Sequence, residues 1–395
     1  MIERETMRLP MRGKRWVFTG GGADGGFGVN GIFRNAAGLF EEVIRWTARV
    51  DGDVSTRENF VFNTARAGYS IRGILDEFDE RVARYRPAAV AYISGPEDRR
   101  LPPRELREGL DLLERRTESL GASLFVLSDQ LGDSIAQANR LLEMIGAEAL
   151  PSFDRDRLEL VPTDETFPCS GTLKLTDRPM RWLFIGDSIT HGALHTYGFD
   201  SLPQLWEKYL RGDLNRKDDV VLNAGVSNAT ATEQLERLDI RYTPYSDADV
   251  VIAMFGTNDC CYPGTITVEH FRDQMRAIVD MARDHGSQVV LRTPQPQKPE
   301  AAGRVKAIVP FVEAVREVAR EKNTLLVDHF ASFTAVQQAN PARFTALMSD
   351  PVHPNAQGQH RMFREMAYAL DMVRESPGNL SAVHRKPRDR YSSST

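Results

Sequence analysis

In the second half of the chain, short apolar runs alternate with stretches of helical period. The runs cover residues 181–186, 219–223, 249–255, 287–291 and 324–327. Between the first two runs, apolar residues recur at helical spacing, at Leu202, Leu205, Trp206, Tyr209 and Leu210. Continuous apolar strands separated by helices predict a parallel sheet covered by helices on both faces, and such sheets bind ligands at the carboxyl ends of their strands.

The same order of landmarks occurs twice in the chain. RWVFTGGG at residues 15–22 resembles RWLFIGDS at 181–188. Three further pairs follow in the same order, Asn63 with Asn223, Asp98 with Asp259, and Gly121 with Gly286. Landmarks that keep their order and spacing indicate an internal repeat, so the chain is predicted to contain two similar α/β domains.

The domain boundaries follow from changes in composition. Residues 151–178 are rich in turn-forming residues and lack a helical period. The end of the chain, RKPRDRYSSST, is polar and has no apolar face. We therefore expect a first domain at 1–165, a linker at 166–178, a second domain at 179–375 and a disordered tail at 376–395.

Composition narrows the choice of partners. The formal net charge of −5 is small for 395 residues, and the charges are interspersed, which argues against nucleic acid as a partner. No stretch is apolar enough to span a membrane, and charges interrupt the N-terminus before a signal peptide could form. Three cysteines provide neither a disulfide framework nor a zinc site. A cytoplasmic protein that acts on a small molecule without metal or cofactor is expected, and a homo-oligomer is left open.

The predicted strand ends carry groups suited to acyl transfer. In LFIGDSITHG, Ser188 directly follows a buried strand on a tight turn, as a nucleophile requires. Gly225 and Asn258 follow the next two strands and offer a backbone N–H and a side-chain amide to an oxyanion. Asp350 precedes His353 by three residues in SDPVHPN, so the carboxylate can orient the imidazole that takes the serine proton.

These blocks, in this order over residues 181–374, resemble the SGNH (GDSL-type) hydrolase superfamily of esterases and lipases. The resemblance implies tandem flavodoxin-like three-layer α/β/α domains with parallel sheets, the first degenerate. It also implies a triad of Ser188, His353 and Asp350, and an oxyanion hole formed by the Ser188 N–H, the Gly225 N–H and the Asn258 amide.

Two positions depart from the family pattern, and one further contact is expected. Ile189 replaces the leucine that follows the family's serine, a swap of similar volume. Asn228 stands where a glycine is usual, which places the local loop shape in question. Asp187, beside the nucleophile, is expected to contact substrate.

Each assignment has a simpler alternative. Ser188 and Asn258 are also residue types that cap helices, and Asp350 before a proline is typical of a turn. His191 and His195 are interpreted as surface histidines outside catalysis. The loop RTPQPQKPEAAGR is expected to line the rim of the substrate pocket and to favour a polar ligand, through Arg292, Gln295, Gln297 and Lys298, and a solvated loop is the simpler alternative.

The first half lacks the groups that the second half contributes to this chemistry. Gly22 aligns with Ser188, Glu97 aligns with Asn258, and no histidine precedes His191. This half is therefore expected to be a degenerate, non-catalytic copy. Its TGGGADGGFG segment is a weak match to phosphate-binding loops, because its spacing fits no established glycine pattern.

Two classes of function follow from the sequence. The leading one is a serine hydrolase that acts on small acyl esters, such as O-acetylated carbohydrate or a short-chain acyl ester, through an acyl-serine intermediate. The other is a non-catalytic ligand-binding protein, and an acyltransferase or thioesterase on the same scaffold is also open.

Overall fold

The structure is a computed structural model that describes residues 14–22, 33–47, 57–131, 133–147, 149–150, 165–192, 195–261 and 265–373. Within these residues, 14–150 and 214–220 form one compact unit, and 165–213 and 221–373 form another. The tail predicted at 376–395 and most of the glycine-rich loop at 19–28 lie outside the described residues. In the described part of the chain, no helix is long and apolar enough to cross a membrane.

The first unit contains a sheet of four strands in the order β2-β1-β3-β4, and β1 pairs in parallel with both of its neighbours. Its strands are β1 (Arg15–Thr19), β2 (Phe60–Asn63), β3 (Ala89–Ser94) and β4 (Ser123–Ser128). Its helices are α1 (Ala36–Glu42), α2 (Ile71–Asp76), α3 (Phe78–Arg81), α4 (Pro103–Ser119) and α5 (Ser134–Met144).

The second unit contains a sheet of five strands in the order β6-β5-β7-β8-β9, in which β5, β7, β8 and β9 pair in parallel. Its strands are β5 (Arg181–Gly186), β6 (Val220–Asn223), β7 (Val250–Met254), β8 (Gln288–Arg292) and β9 (Leu325–Val327). The helices up to β9 are α6 (Ser188–His191), α7 (Leu202–Lys208), α8 (Ala231–Glu236), α9 (Leu238–Arg241), α10 (Val268–Asp284) and α11 (Ala302–Glu321). After β9 follow α12 (His329–Ala339), α13 (Pro341–Ala346) and α14 (Ala356–Ala369). The predicted α/β class with two parallel sheets is confirmed.

The two units repeat one another in detail. In each, one helix between the first and second strands continues into one turn of π-helix, α1 into Val43–Thr47 and α7 into Tyr209–Asp213, and π-helix is rare in proteins. In each, a buried tryptophan of the first strand packs against an aromatic ring of that helix. The ring centroids are 4.8 Å apart for Trp16 and Phe40 and 5.7 Å apart for Trp182 and Trp206. The core of each sheet is thus built on the same contact.

A buried carboxylate after the third strand also recurs. In the first unit, Asp98 accepts hydrogen bonds from the backbone N–H groups of Ile71 and Gly95, at 2.6 and 2.9 Å. In the second, Asp259 accepts from Ala231 and Gly256, at 2.8 and 2.9 Å. Each carboxylate ties the end of the third strand to the first residue of the helix that follows the second strand.

The units differ at the turn that follows the first strand. Adding a Cβ atom to Gly21 would place it 2.3 Å from the carbonyl oxygen of Tyr69, and at Gly22 it would lie 2.3 Å from that of Ser94. The corresponding residues of the second unit are Asp187 and Ser188. Backbone therefore occupies, in the first unit, the space that a side chain would need.

Residues 165–178, which include the predicted linker at 166–178, belong to the second unit and pack against its sheet. The Ser170 hydroxyl accepts a hydrogen bond from the N–H of Leu326 in the edge strand β9, at 2.9 Å. The Lys174 N–H donates to the Gln288 side chain, also at 2.9 Å. This segment therefore lines the edge of the second sheet.

Two alanine substitutions test the close packing of the first unit. Gly22→Ala is expected to lower the free energy of unfolding by ~1–3 kcal/mol, because backbone must move to admit the new methyl group. Gly38→Ala is the matched control, since its Cβ would meet no atom closer than 3.4 Å. Alanine in helix α1 should stabilise the protein by up to ~1 kcal/mol. Denaturant unfolding followed by circular dichroism measures both, and an equal response of the two variants would contradict this account.

Candidate active site

The turn after β5 positions Ser188. Gly186 ends the strand at φ +158°, and a Cβ there would lie 2.6 Å from the carbonyl oxygen of Met254 on the neighbouring strand. Asp187 then caps helix α6, where its side chain accepts a hydrogen bond from the N–H of Ile189 at 2.9 Å. Ser188, 8% exposed, is the first residue of that helix. The serine therefore stands at the carboxyl end of a central strand, as predicted.

The loop before α14 brings a histidine and a carboxylate to this serine. His353 Nε2 lies 2.9 Å from Ser188 Oγ, and His353 Nδ1 lies 2.7 Å from Asp350 Oδ2. The other oxygen of Asp350 accepts hydrogen bonds from the N–H groups of Val352 and His353, both at 2.7 Å. The three residues that the sequence grouped thus lie in one hydrogen-bonded line.

The charge of Asp350 fixes the tautomer of His353. Partial burial pushes the pKa of Asp350 upward, but hydrogen bonds from the His353 ring and from two backbone N–H groups outweigh it and hold the pKa well below its usual value. An ionised carboxylate can only accept hydrogen bonds, so the proton of neutral His353 must be on Nδ1. Nε2 is then left as the acceptor for the Ser188 hydroxyl.

The end of β8 and the segment after it support the loop that carries Asp350 and His353. Gln295 donates a hydrogen bond to the Val352 carbonyl at 2.6 Å, and the Lys298 N–H donates to that of Pro351 at 2.9 Å. Arg292 and Gln295 are fully buried and Gln297 is 2% exposed, so these three residues form neither an exposed pocket rim nor a solvated loop. A polar sequence could not distinguish a solvated loop from a buried support.

Asp187 also differs from expectation. Its side chain is fully buried and engaged with the helix that begins at Ser188, which leaves it unable to reach substrate. Burial raises its pKa, while the Ile189 N–H, His353 and the buried guanidinium of Arg292 act in the opposite direction. Its place in the structure is that of the cap of the helix that begins at Ser188.

Gly225 packs directly against helix α6, which begins at Ser188. A Cβ at this position would lie 2.7 Å from the backbone nitrogen of His191, so only glycine allows the approach. Its N–H donates to the side-chain oxygen of Asn223 at 3.2 Å, and the Asn223 amide donates to the His191 carbonyl at 3.1 Å. Asn223, which the sequence analysis gave no separate role, connects β6 to α6. His191 itself is buried, so its interpretation as a surface histidine is wrong.

Asn258 lies on the turn after β7. Its amide nitrogen donates to the Ala229 carbonyl at 3.0 Å, which uses one of the two N–H groups that an amide carries. The neighbouring Asn228 adopts φ +70°, in the left-handed region that glycine and asparagine tolerate best. This explains how asparagine can occupy the position where the family usually has glycine.

His195, which we did not expect at the site, stacks on His353. The two ring centroids are 3.7 Å apart and the rings are inclined by 9°. With Asp350, the two histidines offer ligand atoms within 4.8 Å of one another. However, a metal ion there would have to displace the hydrogen bond between His353 and Asp350, and stacked rings direct their nitrogen lone pairs in parallel rather than toward one point. No sequence motif marks His195, because the chain path alone brings it onto the ring.

The chain is similar to known proteins over part of its length. Residues 184–361 match the GDSL-like Lipase/Acylhydrolase family. The matched segment begins in β5 and ends in α14.

Individual relatives cover only parts of the chain. An uncharacterised protein of Mycoplasma pneumoniae is 37% identical over 109 residues, which are 27% of this chain and 12% of that protein. The acetylxylan esterase of Geobacillus stearothermophilus aligns at 23% identity over 48% of this chain and 94% of its own, with a TM-score of 0.41. The acetyl xylan esterase AlAXEase aligns at 19% identity over 48% of this chain and 100% of its own, with a TM-score of 0.42.

The recurring carboxylates provide a matched pair of substitutions. Asp259→Asn places an amide N–H against the backbone N–H of Gly256 or Ala231 and should destabilise the protein by ~1–3 kcal/mol. It should also lower the rate of ester hydrolysis, because the turn that carries Asn258 loses its anchor. Asp98→Asn makes the same change in the first unit and should lower stability alone. Thermal unfolding and a chromogenic ester assay compare the two, and equal losses of activity would contradict the local role of Asp259.

Proposed function

We propose that the protein is a serine ester hydrolase with Ser188 as nucleophile, His353 as general base and Asp350 as the residue that orients the base. It acts on small acyl esters, such as O-acetylated carbohydrate or a short-chain acyl ester, through an acyl-serine intermediate. The observation that carries the proposal is the line of hydrogen bonds from Ser188 through His353 to Asp350. Groups 165 residues apart in the chain meet at hydrogen-bond distance there.

Acylation begins at the hydroxyl of Ser188. As Oγ attacks the ester carbonyl carbon, the proton passes to Nε2 of His353, which is the free acceptor of the ring. The imidazolium that forms faces the ionised Asp350, whose negative charge stabilises it. The proton then moves to the leaving alcohol oxygen as the carbon–oxygen bond breaks, and the acyl group remains on Ser188.

Water completes the cycle through the same groups. Nε2 of His353 takes a proton from the water molecule that attacks the acyl-serine carbonyl, and it returns this proton to Ser188 Oγ as the acid leaves. Each half-reaction passes through an oxyanion. We assign its stabilisation to the N–H groups of Ser188 and Gly225 and to the second amide N–H of Asn258. The Gly225 N–H would exchange its contact with Asn223 for the oxyanion.

The first unit, in this proposal, is a degenerate copy without catalytic activity. The serine position is Gly22, around which backbone packs too closely for a side chain. The asparagine position is Glu97, whose carboxylate forms an ion pair with Arg100. Within the described residues, this unit has one further helix after β4, whereas the second continues through β9 to the loop of Asp350 and His353.

Single and double substitutions test the triad. Ser188→Ala and His353→Ala should each reduce kcat by roughly 10⁴–10⁶-fold, and the double variant should be little worse, because the two residues act as one unit. His285→Ala, which removes an exposed histidine of the same unit, is the control and should leave turnover unchanged. A panel of chromogenic esters of increasing acyl length measures kcat for all four proteins. Losses that multiply in the double variant would refute the assignment.

A further inference from the structure

The imidazole of His353 is held at its edge and covered on one face. Hydrogen bonds at Nδ1 and Nε2 bind opposite sides of the ring, to Asp350 and to Ser188. Both hydrogen bonds act in the plane of the ring. The parallel ring of His195, with centroids 3.7 Å apart, lies against the face of this ring and opposes tilting out of its plane.

The neighbours of His195 keep its own ring in place. Its Nδ1 lies 3.3 Å from the hydroxyl of Ser349 and 3.5 Å from Asp350 Oδ2, the oxygen that His353 also contacts. Ser349 in turn bonds the His353 carbonyl through both its N–H and its hydroxyl, at 2.9 and 3.1 Å. The His195 ring, the Asp350 carboxylate and the Ser349 hydroxyl thus all contact one another or His353.

We propose that His195 is a positioning residue of the ester hydrolase, which fixes the plane of the His353 ring and provides a neutral π-face for the imidazolium formed during catalysis. The inference rests on the proposed function of Ser188 and His353. It extends that function by a residue that contacts the base without exchanging a proton with substrate.

The charge state of His195 agrees with this role. Burial, and then the charge of nearby His353, lower the pKa of His195 to about 4, although Asp350 acts in the opposite direction. The His195 ring is therefore neutral at neutral pH. A cation over a neutral aromatic face is attracted to that face. A charged His195 would instead repel the imidazolium and compete with it for Asp350.

Three substitutions distinguish the effect of the aromatic face of His195 from the effect of its volume. His195→Phe keeps a flat ring, His195→Leu keeps volume without a π-face, and His195→Ala removes both. We expect kcat to fall roughly 3- to 30-fold in the leucine and alanine variants, as the loss of a cation–π contact implies, with KM within about twofold of wild type. The phenylalanine variant should retain most of the wild-type kcat. Equal losses in all three variants, or none in His195→Ala, would overturn the proposal.

A readout in the resting protein separates this proposal from the proposed function. Ring-proton NMR should show His195 titrating near pH 4 in wild type and in Ser188→Ala, because stacking does not depend on the nucleophile. A Ser188→Ala variant with full turnover would overturn the hydrolase assignment, whatever the NMR shows. The positioning role alone would be overturned by another pair of results. In that case Ser188→Ala has no turnover, whereas His195→Ala keeps the wild-type kcat and the wild-type melting temperature. Ordinary histidine titration of His195 would also contradict it.

Discussion

A buried carboxylate at the end of the third strand holds the catalytic edge of the sheet together. Burying an unpaired carboxylate is costly, so Asp259 must find donors, and the backbone N–H groups of Gly256 and Ala231 are in place to provide them. Burial still raises its pKa to about 6. This bridge sets the spacing between the ends of β6 and β7, and thereby the position of the turn with Asn258. Asp98 forms the same bridge in the first unit, so this contact is a feature that the two sheets share.

The two units share this sheet architecture. They differ in the size of the side chains that follow β1 and β5. Gly20 directly follows β1 and Gly186 ends β5, and both residues adopt positive φ. After Gly186 the chain has room for a capping aspartate and a serine, and Gly225 clears space for the helix that they begin. After Gly20 only glycine fits, since a Cβ on either of the next two residues would lie 2.3 Å from a backbone carbonyl oxygen. In the proposed degenerate copy, the absence of a side chain at the position of Ser188 and the close backbone packing there go together.

Much of this arrangement could be predicted from the sequence, because it depends on local pattern and on strand ends. The apolar runs coincide with β5 to β9, and the Asp350–His353 spacing gives the expected contact. Burial of polar residues could not be predicted, since Arg292 and Gln295 look like loop residues until their tertiary partners are known. The expectation for Asp187 was wrong for the same reason. The stacking of His195 on His353 joins segments that are far apart in the chain, and no period or motif encodes such a contact.

The central claim, that Ser188 is the acylated nucleophile, is tested most directly by covalent trapping. The purified full chain is incubated with a fluorophosphonate, which reacts with activated serines, and then digested and analysed by mass spectrometry. The account predicts one stoichiometric adduct on the peptide with Ser188, absent from Ser188→Ala and formed far more slowly in His353→Ala. An adduct on another serine, or undiminished ester hydrolysis after complete labelling of Ser188, would contradict it.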